Sequence, residues 1–125
     1  MPAAEITIEC SPETVWSYFT EPGNWDKWED GVLKAAQWRE GGELEWSTGV
    51  SSPIAAFTPG KMVKIQERWK STTYTFERDA SGKTIVRVQT SPSEEVVYSD
   101  GGAAESARLR SCLAKLKKNV ESKTK

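Results

Sequence analysis

The 125-residue chain predicts an α+β fold, a seven-stranded antiparallel sheet covered on one face by a long C-terminal helix. Three observations carry this expectation. Between Gly31 and Pro92 no segment of useful length has helical periodicity, and short alternating runs are separated by turn residues. In the C-terminal segment Leu109, Leu113, Leu116 and Val120 fall on one stripe about 60° wide, with Cys112 at its margin. A sheet with one apolar face needs a cover, and this is the only long helix on offer.

Each element follows in order. Residues 4–9 alternate, with Ile6 and Ile8 on one face, and predict a strand. Ser11 caps a helix with Pro12 at its first position; Val15, Tyr18 and Phe19 share a face and Trp16 sits near its edge. Glu21-Pro22-Gly23-Asn24 stops that helix. Trp25 to Trp28 is too short for a full helix and predicts a single turn with both tryptophans packed inward. Six strands are then expected at Val32–Arg39, Glu43–Thr48, Ser52–Thr58, Met62–Trp69, Thr73–Arg78 and Thr84–Thr90. Gly41-Gly42, Pro59-Gly60-Lys61 and Asp79 to Gly82 read as hairpin turns. Asp100 is the expected cap of the last helix and Gly101-Gly102 a flexible hinge before it.

Composition narrows the function classes. The length is that of one domain, residues 1–125, and no window approaches about 18 uninterrupted apolar residues, so stable membrane insertion is not expected. Leu, Ile, Val and Phe number only 22, while there are six Trp, so the core is expected to be aromatic-rich. His is absent, which excludes a His general base, a Ser-His-Asp triad and His-ligated metal. Cys10 and Cys112 form no ligand cluster, and with no signal-like N-terminus they predict free thiols in a cytoplasmic protein. No metal or cofactor is expected. The net charge is −1, but residues 103–125 hold seven basic and two acidic residues against ten basic and sixteen acidic before them. The basic helix lacks interleaved aromatics, so nucleic acid is not an expected partner; Arg108, Arg110, Lys115, Lys117 and Lys118 read as a solvated face, or as a surface for an anionic partner. Glu29-Asp30 and Glu94-Glu95 read as solvated loop acids.

The stretch Ser11-Pro12-Glu13-Thr14-Val15-Trp16, with Pro22, Trp25 and Trp28 downstream, resembles the opening of the START-like (SRPBCC) superfamily. The polyketide cyclase/dehydrase branch is the nearest match. Gly42-Glu43-Leu44, Phe57 to Lys61, Gly82-Lys83-Thr84 and the Leu109 to Lys117 helix extend the resemblance over nearly the whole chain. It implies the helix-grip fold, a curved antiparallel sheet around a long C-terminal helix with a ligand cavity between them. Members of that superfamily bind lipids, hormones or polyketides, cyclise polyketides, or activate a chaperone ATPase. The chain is short for the superfamily and rich in Trp, both of which favour a small or filled cavity.

The candidate site residues are those of the inner faces. Trp46, Val63, Ile65, Trp69, Tyr74, Phe76, Val86 and Val88 on the sheet, with Leu109, Leu113 and Leu116 on the helix, are either packed core or the walls of a pocket for an apolar small molecule. Glu67 is on the inner face by alternation from Val63 and Ile65; an inward carboxylate must be paired or hold its proton, and is a candidate polar anchor or general acid/base. Tyr74 is the second catalytic candidate, through its hydroxyl. The Trp25–Trp28 turn is a plug or a gate at the cavity mouth. Three functions remain open: binding of an apolar or amphipathic ligand by a monomer or homodimer, cyclase or dehydratase chemistry through Glu67 or Tyr74, and a protein-interaction module similar to the chaperone activators.

Overall fold

A computed structural model describes residues 2–29, 32–67, 70–92 and 102–123. The elements run β1 (Ala3–Ile8), α1 (Pro12–Phe19), a 3₁₀ helix (Pro22–Lys27), β2 (Leu33–Ala36), β3 (Glu43–Trp46), β4 (Ser51–Thr58), β5 (Met62–Gln66), β6 (Lys70–Arg78), β7 (Thr84–Pro92) and α2 (Ala103–Lys123). The seven strands form one curved antiparallel sheet in the order β1-β7-β6-β5-β4-β3-β2. Both the sheet and its long helical cover are as the sequence predicts.

The sheet has one dry face. Val63, Ile65, Thr72, Tyr74, Phe76, Val86 and Val88 are buried, and their partners across the ladders are one another: Val63 faces Tyr74, Ile65 faces Thr72, Tyr74 faces Val88 and Phe76 faces Val86. The other face is wet. There Arg87 donates to Glu5 at 2.5 Å and to Glu77, tying β1, β7 and β6 together. This is the two-residue period of a half-buried antiparallel sheet.

Helix α2 also closes the sheet's β1 edge. The β1-edge amides and carbonyl are taken by helix side chains: Ala3 N–H donates to Ser106 Oγ (3.3 Å), Glu9 N–H to Glu121 (2.8 Å), and Lys117 Nζ donates to the Thr7 carbonyl (2.8 Å). Three backbone groups of this edge are thus taken, which blunts it for pairing with another strand. Lys117, expected on a solvated face, is therefore a latch. Gly102 is no flexible hinge either: it is buried at φ +89°, and a Cβ there would lie 2.9 Å from Pro2 Cγ. Asp100 and Gly101 lie outside the described residues.

Helix α1 begins as expected, with Thr14 N–H donating to Ser11 Oγ at 3.4 Å and Pro12 in the first turn. Its far end explains the tryptophans. The last carbonyls of a helix have no partner within it; here Tyr18, Phe19 and Thr20 carbonyls accept from Asn24 Nδ2 (3.2 Å), Trp25 Nε1 (2.6 Å) and Trp38 Nε1 (2.7 Å). A tryptophan fills the core and caps the helix at once, which a leucine cannot do. Phe19 lies at the centre, its ring within 5.0–5.9 Å of Trp16, Trp25, Trp28, Trp38, Tyr74 and Phe76.

Strand ends depart from expectation: β2 stops at Ala36 and β3 at Trp46, short of the expected Arg39 and Thr48, and the β5–β6 hairpin is displaced. The chain reverses between Glu67 and Lys70, where Glu67 N–H donates to the Lys70 carbonyl at 2.8 Å, so β5 ends and β6 begins three residues before the sequence places them. That hairpin has no Gly, Pro, Asn or Asp to announce it. Cys10 and Cys112 are not joined by a disulfide, and Cys112 is buried.

A candidate ligand cavity with a charged end

The aromatic cluster fills the middle of the space between sheet and helix and leaves one end open. A cleft of about 930 Å³ lies there. Trp25 and Glu29 bound it beside the 3₁₀ helix, Val32 before β2, Trp46 to Thr48 at the end of β3, Val50 to Pro53 around the start of β4, Ile65 to Glu67 at the end of β5, and Lys70, Thr72 and Tyr74 on β6. Helix α2 contributes Arg108. The walls are apolar where Trp25, Trp46 and Ile65 meet; Trp46 is held by its Nε1–H donated to Ser52 Oγ at 3.0 Å. Val32 and Val50, 52% and 59% exposed, stand at its rim.

The polar end is built by elements remote in sequence. Arg108 donates to Glu29 Oε1 at 3.1 Å and to Glu105 Oε1 at 2.5 Å. The Tyr74 hydroxyl donates to the other oxygen of Glu29 at 3.3 Å. Lys70 lies 4.0 Å from Glu67 and 3.8 Å from Glu105, and Thr72 donates to Glu67 Oε2 at 2.8 Å. Cys112 Sγ is 3.9 Å from Glu29 Oε1. Burial pushes the Tyr74 phenol well above its ordinary value, and the Glu29 and Glu67 charges push it the same way, so it holds its proton. For Arg108 desolvation acts downward, but the bond to Glu105 and the charges of Glu29 and Glu105 outweigh it and raise its value. Together these groups present hydrogen-bond donors and acceptors to one end of an otherwise apolar cleft, the usual make-up of a small-molecule site. Among the described residues there is no group of three or more potential metal ligands, and no helix is long and apolar enough to cross a membrane.

A family model described as polyketide cyclase / dehydrase and lipid transport matches residues 3–121. The chain belongs to this family. Solved structures of the same fold include a conserved protein of unknown function, EF2215 from Enterococcus faecalis, at 18% identity and TM-score 0.77, covering 94% of this chain and 69% of that one. DynU16, a protein of the dynemicin biosynthetic locus, is similar at 15% identity and TM-score 0.78 over 96% of this chain and 46% of its own. CalU16 from Micromonospora echinospora is similar at 18% identity and TM-score 0.63 over 92% of this chain and 74% of its own. At such identities the likeness is one of fold. No curated protein sequence matches the chain.

Within this cyclase/dehydrase-family domain the sequence-predicted site residues divide in two. Trp46, Ile65, Glu67 and Tyr74 come together on the cleft wall. Val63, Phe76, Val86, Val88, Leu109, Leu113 and Leu116 are buried in the core and do not line it. They pack with the aromatic cluster into one continuous core. Trp69 lies outside the described residues. Trp25 and Trp28 are each 1% exposed, and of the two Trp25 alone reaches the cleft. The cleft is neither small nor filled: Trp25, Trp28 and Trp38 gather around Phe19 at the end of α1, and Trp46 forms part of the cleft wall.

Sequence reasoning missed Glu29, Lys70, Thr72 and Arg108. Glu29, expected in a solvated loop, has a side chain only 12% exposed and pairs with Arg108; Asp30, Glu94 and Glu95 lie outside the described residues. Arg108, expected on the wet face of α2, turns inward. Its position next to Leu109 and one turn before Cys112 was the available signal. Lys70 and Thr72 were missed with the hairpin: once β6 is extended back from Tyr74 and Phe76, alternation places both on the inner face.

Proposed function

We propose that this protein binds an apolar or amphipathic small molecule, its apolar body against Trp25, Trp46 and Ile65 and its polar group at the Glu29–Arg108–Glu67–Lys70 end. The observation that carries this is the cleft itself: about 930 Å³, lined by aromatic and aliphatic groups, with hydrogen-bonding groups gathered at one end. That volume is in the range that takes up a drug-sized ligand. Membership of a family described by lipid transport and polyketide chemistry supports the same ligand class. A filled core would instead favour an interaction module, and the cleft weighs against that reading.

The test is native mass spectrometry of freshly purified protein, followed by denaturation and identification of what is released. A stoichiometric adduct of an apolar small molecule is the expected result. A bare-protein mass, together with no rise in melting temperature across a panel of fatty acids and aromatic polyketides, overturns the reading, because any ligand that binds the native state must stabilise it.

One observation favours a catalytic extension: the buried Tyr74 hydroxyl keeps its proton at the cleft wall and is oriented by Glu29, with the Glu67 carboxylate four rungs along the same inner face of the sheet. These two groups suit proton donation and proton abstraction in a cyclisation or dehydration. Tyr74→Phe and Glu67→Gln should then abolish turnover of a released ligand's precursor while leaving its binding within a few-fold; turnover that survives both changes removes the catalytic reading.

A further inference from the structure

Resting on the reading of the cleft as a binding site, we infer that Glu67 and Lys70 form a donor–acceptor pair that selects a neutral hydroxylated ligand, a phenol or an enol, over the corresponding ether or carboxylate. The pair is a product of the β5–β6 hairpin. The ladder sets Ile65 opposite Thr72 and Gln66 opposite Ser71, and the Glu67 N–H bond to the Lys70 carbonyl continues that register by one rung. Both side chains therefore leave the sheet on its inner face, side by side, and both line the cleft.

Each keeps hydrogen-bonding capacity that the protein does not use. Lys70 has a side chain only 25% exposed, yet its ammonium lies 4.0 Å from Glu67 Oε2 and 3.8 Å from Glu105 Oε1, beyond hydrogen-bond reach of both. Among the described residues it makes no hydrogen bond, so its three N–H donors are open to the cleft. Glu67 spends Oε2 on the Thr72 hydroxyl, and among the described residues Oε1 accepts nothing. The two charges pair only at 4.0 Å, which leaves donors on Lys70 and an oxygen on Glu67 for a third group. One hydroxyl serves both: its oxygen accepts from Lys70 while its hydrogen goes to Glu67, and a gap of 4.0 Å is spanned by two bonds of about 2.8 Å.

The surrounding charges exclude the alternatives. A carboxylate would pair with Lys70 but would meet Glu67 and Glu105 on either side of it, with Glu29 close by on Arg108. An ether accepts from Lys70 but has no hydrogen for Glu67. The apolar body of a phenol lies along Trp25, Trp46 and Ile65.

Three probes of one shape test this: 2-naphthol, 2-methoxynaphthalene and 2-naphthoate, each titrated at pH 7 and followed by tryptophan fluorescence and calorimetry. The expected result is that 2-naphthol binds about tenfold more tightly than either analogue. In Glu67→Leu the preference for naphthol over its methyl ether should fall to within about twofold, a ratio taken within one variant and so unaffected by any general change in the cleft. In Lys70→Met naphthol should weaken about tenfold. Equal affinities for naphthol and ether in the unaltered protein, or a preference that survives Glu67→Leu, overturn the pair and leave the cleft as a binding site. Failure of all three probes to bind overturns the hydroxyl-selecting pair, while the cleft as a binding site stands or falls by the mass and melting measurements above.

Discussion

Arg108 donates to Glu29 at 3.1 Å across a separation of 79 residues, and this contact joins α2 to the end of the 3₁₀ helix at the cleft. It also orients Glu29 toward the Tyr74 hydroxyl. The cluster thus shares its central ion pair with the seam between α2 and the segment after the 3₁₀ helix.

Removing that contact should cost stability. Arg108→Met leaves Glu29, with its side chain 12% exposed, without its guanidinium partner. Urea unfolding should show a loss of about 1–3 kcal/mol, below the figure for fully buried pairs because the arginine is partly solvated. Adding Glu29→Gln to Arg108→Met should recover part of it. Strictly additive losses would show that the two side chains are not coupled.

Alkaline pH should destabilise the fold through Tyr74. Its folded value is raised, first by burial and then by Glu29 and Glu67, so the folded state keeps a proton that the unfolded chain releases. That contribution is fully present below about pH 10, the ordinary phenol value, and is lost as pH rises from there toward the folded value. Unfolding free energy should therefore fall above about pH 10, and the fall should be shallower in Tyr74→Phe. Phenolate absorbance near 295 nm should show Tyr74 ionising only as the chain unfolds; ionisation near pH 10 in folded protein would contradict this.

Phe19→Ala should be the most damaging core change. Its ring touches six other aromatic rings. A loss of about 3–5 kcal/mol is expected, with tryptophan emission shifted to the red as Trp25 and Trp28 gain water. A loss under about 1 kcal/mol would mean the cluster repacks freely.

Gly102→Ala should destabilise by about 1–3 kcal/mol, because the position combines φ +89° with a Cβ 2.9 Å from Pro2 Cγ. Pro2→Ala alongside it should relieve the clash and leave the backbone strain. Thermal melts of the two variants separate these contributions; an unchanged melting temperature in Gly102→Ala would refute both.

The two exposed rim residues should matter for ligand and little for the fold. Val32→Ser with Val50→Ser should keep unfolding free energy within about 0.5 kcal/mol. Affinity for an apolar probe such as 1-anilinonaphthalene-8-sulfonate should drop several-fold, as measured by its fluorescence; an unchanged affinity would place the bound probe away from this rim.

The amino-acid order by itself determined the strands, the dry face of the sheet and the covering helix. Period-two alternation in Val63–Ile65, Tyr74–Phe76 and Val86–Val88, and the leucine stripe of α2, are local patterns with one low-energy arrangement each. Glu67 and Tyr74 were legible as inward-facing polar groups for the same reason. What the tertiary structure decided is where space is left and which charges meet across it. The end of α1 draws Trp25 and Trp38 to its free carbonyls, and that capping, invisible to periodicity, concentrates the aromatics and opens the cleft beside them. Glu29 and Arg108 lie in segments that read as wet, and they meet because the 3₁₀ turn and the start of α2 converge on the same end of the sheet. A charge's partner depends on chain geometry over tens of residues, and no local rule carries that information.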